Sequence, residues 1–263
     1  MSPLVAVAAA FAERIKINEL KREWRNGRVV WIKRRRRSAP PVLAAANLFF
    51  RLAGARVRAI EHAPRWQRWE VDCFRELHGD SFHAWTEGAC AVAAEAMPGF
   101  PLARELDAGR LTPAHAVAAG RELRRAHEAN CMASGDAWSH GDPHTGNFVY
   151  DPHEDRARLI DFEVMHHAWL PADERQTDDL LIFLQDVIGR IHPRQWLPVA
   201  CAFLEGYDRD EIIARLPAQL TLPRGLPRLW WAIRTSYLPT AEIERRLDSL
   251  SAAIASRGAF AAV

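Results

Sequence analysis

Near its start the chain alternates. Ile15 and Ile17 sit among charged residues, and Leu20, Arg22 and Trp24 continue out of phase with them. A period of two marks a strand with one buried face, and a slipped phase marks a bulge. Asn26-Gly27 follows, a pair suited to the positive φ angles of a two-residue hairpin, and Arg28-Val29-Val30-Trp31-Ile32-Lys33 is the β-branched return strand. Pro40-Pro41 closes that strand, and the Ala- and Leu-rich residues from Val42 to Leu52 predict a helix. Further on the period lengthens: Trp66, Trp69, Cys73 and Leu77 fall three and four apart, with Gly79 as the stop of a second helix. Residues 82–96 read as two short Ala-rich strands about Gly88.

Met97-Pro98-Gly99-Phe100-Pro101 brings Pro and Gly together and reads as a linker. Beyond it helical patterns dominate. Thr112 before Pro113 is an N-cap followed by a first-turn proline, opening a helix to about Glu128. Phe148-Val149-Tyr150 and Ala157 to Ile160 frame a small hairpin, and helices are expected from Asp173 onward. The pattern predicts an α+β chain with strands concentrated in residues 1–96 and helices in 97–263.

With 263 residues, 49% hydrophobic and 26% charged, the chain has the composition of a folded globular protein and excludes a disordered or fibrous one. A net charge of +2 creates no global field, so no nucleic-acid partner is expected. The charge is unevenly spread: Glu13 to Arg37 holds eleven Lys/Arg against three Glu and ends in Lys33-Arg34-Arg35-Arg36-Arg37. Such a run is a solvated face or an attraction to phosphates or an anionic membrane surface. The four cysteines are scattered with no C-x-x-C pair, which fits a reducing compartment. The apolar stretch Pro3 to Ala12 lacks a basic n-region and is too short to span a bilayer. The expected location is the cytoplasm, with peripheral attachment to the inner membrane surface as an extension of the basic tract.

Residues 138–163 carry the chemistry: W-S-H-G-D-P-H-T-G-N-F-V-Y-D-P-H-E-D-R-A-R-L-I-D-F-E. Asp142 and Asn147 lie five apart in a turn-rich loop, and Asp161 follows the apolar pair Leu159-Ile160. One carboxylate is thereby offered to a substrate proton and two oxygens to a hard cation such as Mg²⁺, which takes one or two protein ligands beside phosphate oxygens and water. His140 and His144 are expected to hydrogen-bond the loop backbone and pack against Asp161. A zinc site built from His140, His144, His166 and His167 is disfavoured, because Gly141, Pro143 and Gly146 oppose the helix that an H-x-x-x-H pair needs.

H-G-D-x-H-x-x-N followed by I-D-F-E resembles the catalytic loop and metal segment of the protein-kinase-like phosphotransferases. The aminoglycoside and choline kinases and the lipopolysaccharide-core (Kdo/heptose) kinases are the branches it looks most like. The resemblance implies a two-lobed fold, ATP and Mg²⁺ as cofactors, and a hydroxyl-bearing small molecule or saccharide as acceptor, a lipopolysaccharide-core sugar among them. It assigns Asp142 as base or hydroxyl-orienting group and Asn147 and Asp161 as Mg²⁺ ligands. Lys33, ending Val30-Trp31-Ile32-Lys33, resembles the strand lysine that holds the α/β-phosphates. Glu70 is its carboxylate partner, with Glu76 as second choice. Asp179, or its neighbour Asp178, corresponds to the helix aspartate that supports the loop from below.

There are departures too. Glu163 stands where protein kinases carry glycine, as small-molecule kinases often do. No glycine precedes Gly27, so a glycine-rich phosphate loop is absent and nucleotide affinity should rest more on Lys33 and Mg²⁺. Trp31 shares a strand face with Lys33, where it fills part of the adenine space or stacks on the base. Only 18 residues separate Asp161 from Asp179, too few for a regulated activation segment, which sets a protein Ser/Thr kinase behind a small-molecule kinase. A pseudokinase, a binding or scaffolding module that keeps the fold without turnover, is the other alternative.

Overall fold

The computed structural model describes residues 17–131, 135–236 and 238–261. Ile15 and the apolar stretch from Pro3 lie outside them. The chain opens with a hairpin, β1 (Asn18–Arg25) and β2 (Arg28–Arg35), turned through Asn26 and Gly27 at φ 50° and 77°. Pairing runs unbroken from Asn18 opposite Arg35 to Arg25 opposite Arg28, so the expected bulge is absent. The slipped apolar phase has another cause. β1 is an edge strand with both faces largely in solvent, which leaves Leu20 and Trp24 exposed.

α1 (Ala39–Leu52) takes Pro40 and Pro41 into its first turn, where no intrahelical N–H donor is needed. The prolines therefore begin the helix, which was expected only from Val42. Asn47 of α1 clasps β3 (Val57–Ala59), donating to the Ala59 carbonyl at 3.0 Å and accepting from its N–H at 2.7 Å. α2 (Ala63–His78) buries Trp66, Glu70, Cys73, Phe74 and Leu77 along one stripe and stops at Gly79. The Ala-rich segment forms β4 (Ala84–Glu87) and β5 (Ala91–Glu95), completing an antiparallel sheet of order β1-β2-β5-β4. Small side chains on β5 let the sheet pack closely on both faces: Ala91 and Ala93 with Val30 and Ile32 on one, Val92 and Ala94 with the main core on the other.

The Pro/Gly segment leads straight into β6 (Phe100–Pro101), which pairs with β9 (Phe148–Asp151). At Gly99, φ is 106° and a Cβ would sit 2.0 Å from the Tyr150 carbonyl oxygen, so only glycine fits. α3 (Leu102–Asp107) and α4 (Pro113–His127) follow, the latter opened by a reciprocal cap between Thr112 and His115. Two short strands, β7 (Asn130–Cys131) and β8 (Asp136–Ala137), precede the loop from His140 to Asn147. β9 pairs with β10 (Arg156–Leu159), and β11 (Val164–His166) pairs with β3.

α5 (Ala172–Arg190) runs through the centre and is followed by α6 (Trp196–Tyr207), α7 (Asp210–Ile213), α8 (Leu226–Arg234) and α9 (Thr240–Ala261). α4 and α6 touch backbone to backbone, Gly120 against Phe203 and Gly206 against Val117. The architecture is α+β with a small sheet-containing lobe and a mainly helical one. A contiguous apolar core runs through both, from Trp66 and Val92 to Phe183, Phe203 and Leu250. Among the described residues no helix is long and apolar enough to cross a membrane.

His78, at the end of α2, hydrogen-bonds the Leu159 carbonyl at 2.9 Å and thereby ties the first lobe to β10. Burial holds its pKa down at about 4, below the ordinary value of 6.5, so the folded state favours neutral imidazole. Its contribution is complete above pH 6.5 and is lost as pH falls toward 4, up to about 3 kcal/mol in all. Melting temperatures between pH 7.5 and 4.5 should fall more steeply for the wild type than for His78→Gln. Parallel curves would contradict this.

Candidate active site

Strand alternation decides the fate of the basic tract. Lys33 and Arg35 turn inward and Arg34 outward, with Arg36 and Arg37 exposed beyond the strand. The run is therefore not one continuous solvated face. Arg35 stacks 4.4 Å from the Trp66 ring and donates to the Ile60 and Glu61 carbonyls. Lys33 meets Glu70 at 2.9 and 3.1 Å, Asp161 at 2.6 Å and Glu163 at 2.6 Å. Burial works against the ammonium, but Asp161, Glu70 and Glu163 outweigh it and keep the lysine charged well above its usual range. Burial also pushes the Glu70 carboxyl up to about 7, against the pull of Lys33. Glu70, on the buried stripe of α2, is thus the carboxylate that reaches the strand lysine.

Burial pushes the Asp161 carboxyl up, but Lys33 holds it below its usual range, so it keeps a charge that suits a cation beside it. Sequence reasoning missed Glu163 as a partner of Lys33. It noted the acid only as a replacement for glycine, whereas the side chain bonds both Lys33 and Asn18. The backbone of the same segment is pinned too, with Ile60 N–H donating to the Glu163 carbonyl at 3.1 Å. Asp161 itself has φ 68°, a left-handed conformation unusual for a non-glycine residue. Phe162 anchors it, edge-on to Phe74 and packed against Trp138 and His140.

The loop from His140 to Asn147 hangs on α5. The Asp179 carboxylate accepts the N–H groups of His140 and Gly141 at 2.7 and 2.8 Å and is bonded by His127 at 3.0 Å. Burial opposes its charge, yet His166 and His127 hold its pKa down at about 2. Asp178 faces elsewhere, hydrogen-bonded to His166 at 3.2 Å. Two turns along, Asp186 accepts from the Thr145 N–H and hydroxyl at 3.0 and 2.5 Å. The i, i+7 spacing of Asp179 and Asp186 is the one sequence signal that could have found this second support.

Within the loop His140 accepts from the Asp142 N–H through Nδ1 at 3.2 Å and donates from Nε2 to the Ile160 carbonyl at 3.0 Å. His144 caps the turn Thr145–Asn147, accepting from the Gly146 N–H at 3.0 Å. His166 is bonded to Ser139 and Asp178, and His167 stacks on Trp169, so the four histidines serve separate partners. Asn147 donates its amide to the Asp142 carbonyl at 2.8 Å, which leaves Oδ1 for a cation. Ile160 N–H donates to the Asn147 carbonyl at 3.0 Å, joining the loop to the residue before Asp161. Asn147 Oδ1 and the Asp161 oxygen not engaged by Lys33 are hard donors of the kind Mg²⁺ takes. Asp142 remains partly exposed, with one oxygen 3.1 Å from Arg234 of α8, another residue that sequence reasoning missed.

No protein-family model matches the chain, and no curated protein matches it in sequence. Among solved structures it is similar to the Rv3197–erythromycin complex from Mycobacterium tuberculosis, at 17% identity and a TM-score of 0.43, over 91% of this chain and 70% of that one. It is also similar to the ethanolamine kinase Pv091845 of Plasmodium vivax, at 10% identity and a TM-score of 0.48, over 96% and 87% of the two chains. At such identities and scores neither likeness carries an activity or a substrate to this chain.

Proposed function

We propose that the protein is an ATP- and Mg²⁺-dependent phosphotransferase that acts on a hydroxyl of a small molecule or saccharide. The observation that carries this reading is Lys33, bonded at once to Glu70 of α2 and to Asp161, beside the loop that holds Asp142. In this reading Lys33 binds nucleotide phosphates and is itself positioned by Glu70. Asn147 and Asp161 would hold Mg²⁺, which supplies charge neutralisation at the phosphates. Asp142 orients the acceptor hydroxyl or accepts its proton. Trp31, half exposed on the Lys33 face, offers an indole for base stacking, worth about 1–3 kcal/mol.

A lipopolysaccharide-core saccharide belongs to this acceptor class. With Lys33 and Arg35 turned inward, only Arg34, Arg36 and Arg37 of the tract remain for an anionic surface. A protein Ser/Thr kinase is a poorer reading, because β11 and the start of α5 fill the stretch after Asp161.

The missing glycine loop favours a second reading, a binding or scaffolding module that keeps the fold without turnover. Transfer of γ-phosphate label from ATP to a panel of hydroxyl compounds separates the two. Magnesium-dependent labelling supports the enzyme. Intact Mg-ATP binding with neither transfer nor slow hydrolysis would leave the binding module.

A further inference from the structure

Arg234 is a largely buried cation with one N–H left unpaired among the described residues. Its side chain is only 10% exposed, and Asp142 at 3.1 Å is its carboxylate partner. Among the described residues its Nε has no hydrogen-bond partner. The guanidinium lies 4.3 Å from the centre of the Trp230 ring, and that indole is itself packed edge-on against Phe49 and Phe50 of α1. The charge is therefore fixed in place by aromatic packing. Arginine cannot shed its proton to relieve burial, so it needs a counter-anion at every stage.

Arg234 also lines an open cleft of about 290 Å³ bounded by the α1–β3 turn, α5, the residues before α8, and α8. None of Lys33, Asn147 or Asp161 lines it, so it is distinct from the proposed nucleotide cluster, and Arg234 joins it to Asp142. Gln185, Gln219 and Thr221 bring amide and hydroxyl groups to its wall, and Trp231 an apolar one. Arg56 is a second guanidinium there, bonded to Gln219 at 3.0 Å and 3.9 Å from Asp178, the one acid among the described lining residues, which also bonds His166 at 3.2 Å. The described lining thus holds two guanidiniums against one carboxylate, and groups that bond hydroxyls. Its volume lies just under the range of small-molecule sites, roughly 300–1,000 Å³, which limits it to a small acceptor.

We propose that this cleft receives the acceptor, and that the acceptor is a small hydroxyl compound bearing its own carboxylate or phosphate. The inference rests on the phosphotransferase reading. When Asp142 turns to the acceptor hydroxyl, Arg234 loses its counter-ion unless the acceptor supplies one. An anionic substituent takes over the guanidinium, with Nε and the terminal nitrogens giving the fork geometry that carboxylates and phosphates accept. Asp142 is released to the hydroxyl in the same event. Arg234 is then a specificity residue that also positions Asp142.

The test compares matched compounds: glycerol with glycerol 3-phosphate and glycerate, glucose with glucose 6-phosphate and gluconate. Binding is followed by tryptophan fluorescence in wild type, Arg234→Gln, Arg234→Lys and Arg56→Gln, each saturated with Mg²⁺ and a non-hydrolysable ATP analogue. Phosphorylation is then measured with ATP. The wild type should bind the anionic members at least about tenfold more tightly than the neutral ones. Arg234→Gln should lose that preference through KM more than kcat, Arg234→Lys should restore part of it, and Arg56→Gln should weaken it. Equal binding of charged and neutral members, no saturable anion binding by the wild type, or an unchanged preference in Arg234→Gln overturns the inference. Failure of the wild type to bind the Mg-nucleotide analogue would instead overturn the phosphotransferase reading, and the acceptor inference with it.

Discussion

Replacing Asp142 with asparagine is expected to lower kcat by about 10²–10⁴-fold while leaving the affinity for Mg-ATP near that of the wild type. The loop does not depend on this carboxylate for its shape. Its backbone is pinned by His140 at the Asp142 N–H and by Asn147 and His144 at the Asp142 carbonyl. Asparagine keeps an oxygen for Arg234 but cannot take a proton from a hydroxyl. Steady-state transfer and equilibrium nucleotide binding, measured on the same preparation, separate the two effects. A kcat within a few-fold of wild type would remove Asp142 from the reaction, and a parallel loss of nucleotide affinity would show that the substitution had disturbed the loop.

Asp179→Ala should be the most destabilising single change near the site. It strands the N–H groups of His140 and Gly141 and removes the Nε2 partner of His127, whose Nδ1 stays bonded to Tyr207, all in the interior. Breaking such a network costs about 3–5 kcal/mol. At roughly 2–4 °C per kcal/mol for a chain of this size, the melting temperature should fall by about 10 °C. Asp178→Ala is the matched control, since Asp178 is partly exposed and holds His166 and, at 3.9 Å, Arg56. Equal melting temperatures for the two variants would contradict the assignment of Asp179 as the support.

These two aspartates also show where the sequence becomes illegible. Neighbours on a helix point about 100° apart, and nothing in D-D-L says which faces the loop. β2 and the stripe of α2 were readable because burial fixes the spacing of their apolar positions, Val30 and Ile32 sharing one face of β2, and the family resemblance paired Lys33 with Glu70. β1 misled because an exposed edge strand is free of that constraint. Arg35 hid inside a basic run, whose composition does not reveal that strand alternation turns it onto Trp66. Arg234 had no signal at all: it lies 92 residues beyond Asp142 in a segment without motifs, and only the packing of α8 brings them together.

The most direct test of the account is the thermal stability of the purified protein with and without Mg-ATP, for the wild type and Asp161→Asn. A ligand that binds only the folded state adds about 2.7 kcal/mol at a hundredfold excess over its Kd, so even modest affinity is visible as a shift. The wild type should show a shift that requires Mg²⁺, and Asp161→Asn, judged against its own baseline, should lose it. No shift at millimolar nucleotide, or an equal shift without Mg²⁺ or in the variant, would contradict a nucleotide site built on Lys33, Asn147 and Asp161.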